Sequence, residues 1–176
     1  FLETYRSARE AGFDNINIDL MSAIPDQTYE GWIHNLRTVA GLDPEHISAY
    51  SLIIEEGTPF ASRTLNLPDE DAEYNMYEAT AQILREYGFE QYEISNYAKK
   101  GRECRHNVGY WIRQDYLGFG LGASSLYGKE RFANTQDMKK YLENSRTPEK
   151  IRENEPLLTR EDEMAEFMFL GLRMTR

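Results

Sequence analysis

The best-placed acid in this 176-residue chain is Asp19. It sits near the C-terminal end of an alternating run, FDNINIDLM over Phe13–Met21. In that run Ile16, Ile18 and Leu20 share one face, and Asn15, Asn17 and Asp19 share the other. A strand sandwiched in a parallel sheet is ordinarily apolar on both faces. A polar second face predicts that this one looks into a barrel lumen or cleft, where α/β barrels place functional side chains.

The other residues that could do chemistry gather in Tyr92–Gly128, YEISNYAKKGRECRHNVGYWIRQDYLGFGLGASSLYG. His106 has the chemistry to ligate a metal or a porphyrin iron, or to hydrogen-bond within a loop. No second ligand stands at a suitable spacing, which favours the loop role. Cys104 has no base arranged to activate it, so a buried or incidental thiol fits better than a nucleophile. Lys99, Lys100, Arg102 and Arg105 put four positive charges beside His106. They could pair with ligand carboxylates, although a charge run is usually a solvated loop. Tyr110 and Trp111 read as packing residues rather than a stacking platform.

Gly118, Gly120 and Ala123 match the spacing of a dinucleotide fingerprint. That motif works only where a helix starts and turns its amides to the pyrophosphate. Ser124 to Gly128 is no such start, so the dinucleotide reading fails. Gly118, Gly120 and Gly122 instead predict three missing side chains on one face of an extended segment. Something flat, or another backbone, would approach there.

These residues need a scaffold, and the chain order supplies one. Residues 1–11 read as a helix stopped by Gly12. Phe13–Met21 is a strand, and Pro25 with Asp26, Gln27 and Thr28 makes a turn. Tyr29–Ala40 is a helix with Trp32, Ile33, Leu36, Val39 and Ala40 on its apolar stripe and Gly41 as its stop. Residues 46–54, HISAYSLII, form a second strand, followed by a long loop to Pro68. Asp69 caps a third helix to Tyr87, its stripe running through Ala72, Met76, Ala79, Thr80, Ile83 and Leu84. Tyr92–Ala98 is a third strand, and the alternating order predicts parallel pairing in an α/β fold. Asn144–Pro156 reads as a linker. A last helix starts at Thr159, with a capping-box-like Asp162, and runs through Met164, Phe167, Met168 and Leu172.

Composition bounds the rest. A content of 40% hydrophobic and 28% charged residues describes a soluble globular chain. No apolar run approaches the roughly 20 residues of a membrane helix, and no signal-peptide pattern opens the chain. The net charge of −10 argues against nucleic acid as a partner. One cysteine excludes an internal disulfide, fits a reducing cytoplasm and excludes a multi-cysteine iron–sulfur site held by this chain alone. Phe1 is not a start methionine, and the chain stops as a helix finishes, so a piece of a longer protein is expected.

Several long runs together resemble one family: NINIDLM with IPDQT, PEHISAYSLIIEEGTPF, LPDEDAEYNMY, YEISNYAKKGRECRHNVGYW, DYLGFGLGA and EFMFLGLR. They are similar to the radical S-adenosylmethionine (SAM) family of oxygen-independent coproporphyrinogen III oxidases and their heme-chaperone paralogues. The likeness spans nearly the whole chain in the right order. It implies a partial (β/α) barrel with SAM and a [4Fe-4S] cluster at its strand ends. Residues 1–128 would be the C-terminal half of that barrel, with parallel strands. Residues 129–176 would be a connecting segment and the first helix of a mostly helical C-terminal domain. The family's Cys-x3-Cys-x2-Cys cluster motif is absent here, so the chain alone should be inert.

Carried over residue by residue, the resemblance implies that Asp19, Ile53 and Ser124 contact SAM. The run Gly101–Trp111, G-x-E-C-R-H-N-x-x-Y-W, resembles the chaperone-type paralogues and implies heme near the 99–111 loop, with His106 as a candidate ligand. The partners it implies are a porphyrin or heme and an electron donor for the cluster. Two functions follow from it. One is heme binding and delivery; the other is oxidative decarboxylation of two coproporphyrinogen III propionates by a SAM-derived radical. The sequence departs from the family in two places. Ser22-Ala23-Ile24-Pro25-Asp26 replaces the usual Tyr-Gly-Leu-Pro-Gly, and Ser124 replaces a common His.

Overall fold

A computed structural model describes residues 1–154 and 157–175. The chain divides into two compact units, residues 1–104 with 175–176, and residues 105–174. The boundary expected after residue 128 lies inside the second unit.

The first unit is a sheet with helices packed on one face. Its elements are α1 (Leu2–Glu10), β1 (Asn17–Ser22), α2 (Tyr29–Ala40), β2 (His46–Ser51), α3 (Glu70–Glu86), β3 (Glu90–Gln91) and β4 (Asn96–Ala98). The strand order is β1-β2-β4-β3. β1 and β2 run parallel, with Asn17 opposite His46, Ile18 opposite Ile47 and Asp19 opposite Ser48.

Period-2 alternation sorts the two faces. Ile18 and Ile47 join Trp32, Leu36, Met76, Leu84, Phe89 and Tyr97 in the core, and Ile16 and Leu20 pack against it. Asn17, Asp19 and Met21 stay exposed on the opposite face, as the alternation predicted. The indole N–H of the buried Trp32 donates to the Met76 carbonyl at 3.2 Å and to Thr80 Oγ1 at 3.0 Å, tying α2 to α3. Thr28 and Asp69 cap these helices through Gly31 N–H and Ala72 N–H. Arg9 grips Glu45 with two guanidinium contacts at 2.9 and 3.0 Å, and Glu45 also accepts the Ile16 N–H at 2.9 Å. This bidentate contact anchors α1 beside the start of β1.

Two strand expectations need correction. The strand expected over 46–54 ends at Ser51, because β1 ends at Ser22 and offers no ladder beyond the Leu52 N–H bond to the Ser22 carbonyl at 2.9 Å. The strand expected over 92–98 is not straight. Glu93 turns its carboxylate onto the Ser95 N–H at 2.8 Å, closing a turn that reverses the chain. β4 therefore pairs antiparallel with both β2 and β3, and only β1 and β2 are parallel among the described strands.

The second unit holds α4 (Arg105–Trp111), β5 (Ser124–Tyr127), β6 (Glu130–Asn134), α5 (Met138–Asn144), α6 (Pro148–Ile151), β7 (Arg152–Asn154) and α7 (Arg160–Gly171). β5, β6 and β7 form an antiparallel sheet. Most of the expected linker Asn144–Pro156 is thus α6 and β7, and Ile151 is buried there; Glu155 and Pro156 lie outside the described residues. Likewise, the expected 99–111 loop turns helical from Arg105. Thr159 and Asp162 form the full capping box of α7. On that helix Met164, Phe167, Met168 and Phe169 are all exposed.

The glycine run is not extended. Gly120 and Gly122 have φ of 111° and 67°, the left-handed turn region that glycine enters without strain. Gly118 carries the close approach: a Cβ there would lie 2.2 Å from the Ser124 carbonyl oxygen. Another backbone, rather than a flat ligand, fills that space.

Candidate functional site

The polar face of the first sheet is built by three strands in register. β1 contributes Asn17 and Asp19, and β2 contributes His46 and Ser48 from the positions directly opposite. Tyr92 and Asn96 come from the β3–β4 hairpin. Asp19 Oδ1 accepts the Asn17 side-chain amide at 2.7 Å. Asn17 Oδ1 meets His46 Nδ1 at 2.6 Å and accepts the Ser48 hydroxyl at 3.1 Å. His46 Nε2 lies 2.8 Å from Tyr92 Oη, which also accepts the Cys104 N–H at 3.3 Å.

Burial shapes the electrostatics of this chain. It lowers the His46 pKa from its ordinary 6.5, and Asp19, Glu93 and Glu103 only partly oppose that. The ring is therefore neutral. Burial also pushes Tyr92 up to about 12, so its phenol keeps its proton. Glu93 is fully buried and holds Ser95 N–H and the Asn96 amide.

Asp19 itself is exposed, and Oδ2 has no hydrogen bond among the described residues. Met21 and Tyr50, next along the same face, are 49% and 39% exposed, and Ile53 stands 76% exposed beyond the end of β2. A carboxylate oxygen ready to accept, beside apolar and aromatic side chains, suits a ligand with hydroxyl or ammonium donors and a flat ring. These residues fit SAM. They do not fit a [4Fe-4S] cluster: the chain has one cysteine, and among the described residues no group of three or more His, Cys, Asp or Glu side chains is placed to hold a metal.

The turn after β1 is strained where the sequence departs from its resemblance. Ala23 and Asp26 have φ of 56° and 62°. Both occupy positions where the family commonly has glycine, the residue that adopts this conformation at no steric cost. The Asn66 amide donates to the Asp26 carboxylate at 2.9 Å and holds the turn.

Ser124 and His106 belong to the second unit. Ser124 is exposed at the first position of β5, opposite Ala133. The segment after it is a strand, which agrees with rejecting a dinucleotide loop. His106 is exposed on α4, edge-on to Tyr110 with ring centroids 4.7 Å apart, and Tyr110 is in turn edge-on to Tyr116 at 4.6 Å. A cleft of about 190 Å³ runs beside His106, lined also by Arg105, Gly109, Gln114 and Asp115. Cys104 is a half-buried free thiol. Lys99 is already engaged, with Asp43 as its ion-pair partner and the Phe89 ring 5.7 Å away.

Sequence reasoning missed His46 and the role of Asn17. The signal was there: His46, Ser48 and Tyr50 alternate with Ile47 and Ala49, as Asn17 and Asp19 alternate with Ile18 and Leu20. Applying one period to both strands would have placed all of them on one face.

No protein-family profile matches the chain. It is 40% identical over 176 residues to the heme chaperone HemW of Bacillus subtilis, covering 98% of this chain and 46% of that protein. Against HemW of Lactococcus lactis the identity is 39%, over 94% of this chain and 44% of the relative. Against HemW of Escherichia coli it is 44%, over 74% and 34%. The chain thus spans less than half the length of these relatives. Its fold matches that of coproporphyrinogen III oxidase (HemN) from Escherichia coli, described as a radical SAM enzyme, with a TM-score of 0.78 at 23% identity, over 98% of this chain and 43% of that one. With the parallel β1–β2 pair, the helices that cover it and these relatives in agreement, the chain belongs to the radical SAM family of coproporphyrinogen III oxidase-like proteins that includes the heme chaperones.

Proposed function

We propose that this chain is the later part of a radical SAM barrel and the start of the C-terminal domain of a heme chaperone. Residues 1–128 belong to the barrel half and 129–176 to the connecting segment and first helix beyond it. The observation that carries this reading is the run Gly101–Trp111, within a chain 40% identical over 176 residues to a heme chaperone. Asp19 and Ile53 contact SAM, the first as hydrogen-bond acceptor and the second by packing; Ser124 is the third contact, on resemblance alone. SAM bound beside a reduced [4Fe-4S] cluster supplies radical chemistry, and the cluster's cysteines come from outside this chain. His106, exposed beside Tyr110, is the candidate heme ligand. An electron donor for the cluster is a further partner, and the protein works in the cytoplasm. Among the described residues no helix is long and apolar enough to cross a membrane.

The test uses the full-length protein. Stoichiometric heme binding with no protoporphyrinogen formed under anaerobic conditions with reductant, SAM and coproporphyrinogen III supports the chaperone reading. Formation of protoporphyrinogen replaces it with the decarboxylase. His106→Ala should weaken heme binding and shift the Soret band; an unchanged spectrum and affinity would remove His106 as a ligand.

A further inference from the structure

The polar face of the first sheet contains a buried histidine to which SAM or heme binding gives no task. His46 is only 5% exposed. It stands in the middle of a series of hydrogen bonds that ends on Asp19: Cys104 N–H to Tyr92 Oη, Tyr92 Oη to His46 Nε2, His46 Nδ1 to Asn17 Oδ1, and Asn17 Nδ2 to Asp19 Oδ1.

The series has one consistent proton assignment. A carboxylate only accepts, so the nitrogen of the Asn17 amide must face Asp19. Its oxygen then faces His46 and Ser48, and Nδ1 of His46 must carry the proton it donates. Nε2 is left as an acceptor and takes the Tyr92 hydroxyl proton. The Tyr92 oxygen remains free to accept the Cys104 N–H. Every donor in the series finds an acceptor, and the neutral ring that burial favours is the form this arrangement needs.

An exposed asparagine two residues from an aspartate on the same strand face would ordinarily sample several rotamers. Here two donors, His46 Nδ1–H and Ser48 Oγ–H, converge on one amide oxygen and hold the amide in a single orientation.

We propose that His46 is a positioning residue for Asp19: by holding the Asn17 amide oxygen it keeps the amide N–H on Oδ1 of Asp19 and leaves Oδ2 for the ligand. This rests on the reading of Asp19 as a SAM contact. Tyr92 selects the tautomer that does the holding. A side-chain amide whose oxygen is held by two buried donors is the kind of support that keeps a binding carboxylate within tenths of an ångström of its working place.

The experiment measures SAM affinity by equilibrium titration in the full-length protein and, separately, the mobility of the Asn17 side-chain amide by ¹⁵N relaxation. Asp19→Ala should weaken SAM at least tenfold. His46→Leu should weaken it about five- to tenfold, the scale of one hydrogen bond between neutral groups. His46→Asn, whose amide N–H can take the place of Nδ1–H, should restore most of that loss, although it disrupts Tyr92 as much as leucine does. In the Asp19→Ala background, His46→Leu should add nothing; an additive loss, or equal losses for the leucine and asparagine variants, overturns the proposal. The amide measurement keeps the two readings apart. If Asp19→Ala leaves SAM affinity unchanged, the SAM contact is wrong. If the Asn17 amide stays as ordered in His46→Leu as in the parent, the positioning role is wrong whatever SAM does. Should the leucine variant fail to fold, His46→Asn set against Asn17→Ala carries the same comparison: intact SAM affinity in Asn17→Ala overturns the role.

Discussion

Two regions of this chain carry residues of interest, and they are organised in opposite ways. Around Asp19, side chains from β1, β2 and the β3–β4 hairpin bond one another through four hydrogen bonds and Tyr92 accepts a fifth from the Cys104 N–H, with His46, Ser48 and Tyr92 buried. Around His106, contact is by ring edges and ion pairs: Arg113 Nε donates to Glu166 at 2.7 Å, and Trp111 Nε1 and Arg113 Nη2 are buried without a hydrogen-bond partner among the described residues, as is Asn96 Oδ1 in the first region. The backbone also constrains this unit, through the close approach of Gly118 to Ser124 and the left-handed Arg113 at φ 57°. The Asp19 carboxylate is thus held on one oxygen by the Asn17 amide. His106 instead stands exposed on a seven-residue helix, its ring in edge contact with Tyr110.

The largest effect that could break this contrast is at Gly118. Gly118→Ala drives a methyl group into the Ser124 carbonyl and should destabilise the second unit by about 3 kcal/mol, the upper end for overpacking. A melting temperature within a degree of the parent would mean that the backbone contact does not hold this region. Ala23→Val comes next. A β-branched residue at a φ of 56°, in a buried site, should cost about 2 kcal/mol, while Ala23→Gly should be close to neutral. If valine is tolerated in urea unfolding, the turn after β1 is not strained.

Tyr92→Phe probes the first region directly. It removes one hydroxyl that serves both His46 and Cys104, and should cost about 1–2 kcal/mol with little change to the melting of the second unit. A loss shared equally by both units would erase the distinction drawn here. The smallest effect is on pH dependence. His46 has its folded pKa lowered by burial, so the unfolded chain takes up a proton first as pH falls. Its contribution to stability is complete above about pH 6.5 and is lost as pH drops towards the folded value. Glu45 acts in a separate, more acidic window: burial alone would raise its pKa, but Arg9 and the Ile16 N–H hold it below the usual glutamate value. Urea midpoints at pH 7.5 and 5.5 should therefore differ less in His46→Asn than in the parent. An equal difference would show that His46 is not the titrating group.

Much of the first unit was legible because its elements obey one period at a time. Helix α2 falls on the predicted residues, and Asp69, Thr159 and Asp162 cap as their residue types suggest. The hairpin was not legible: Tyr92–Ala98 has the composition of a strand, and nothing local announces that the Glu93 carboxylate will fold back onto Ser95. The glycine run misled for a related reason. Spacing two apart suits an extended face, but Gly120 and Gly122 are used for positive φ and Gly118 alone for space.

What the sequence determined by itself was the alternation that puts Asp19 on a polar strand face, the helices that cover the other face, and the family to which the runs of residues belong. Those follow from local periodicity and residue identity, which a linear chain displays openly. Only the tertiary structure decided what surrounds Asp19. His46 lies 27 residues further along and Tyr92 a further 46, and their meeting depends on parallel pairing of β1 with β2 and on the reversal before β4. Hydrogen bonds between residues so distant have no signature in spacing, because strand register, rather than sequence separation, brings the partners together.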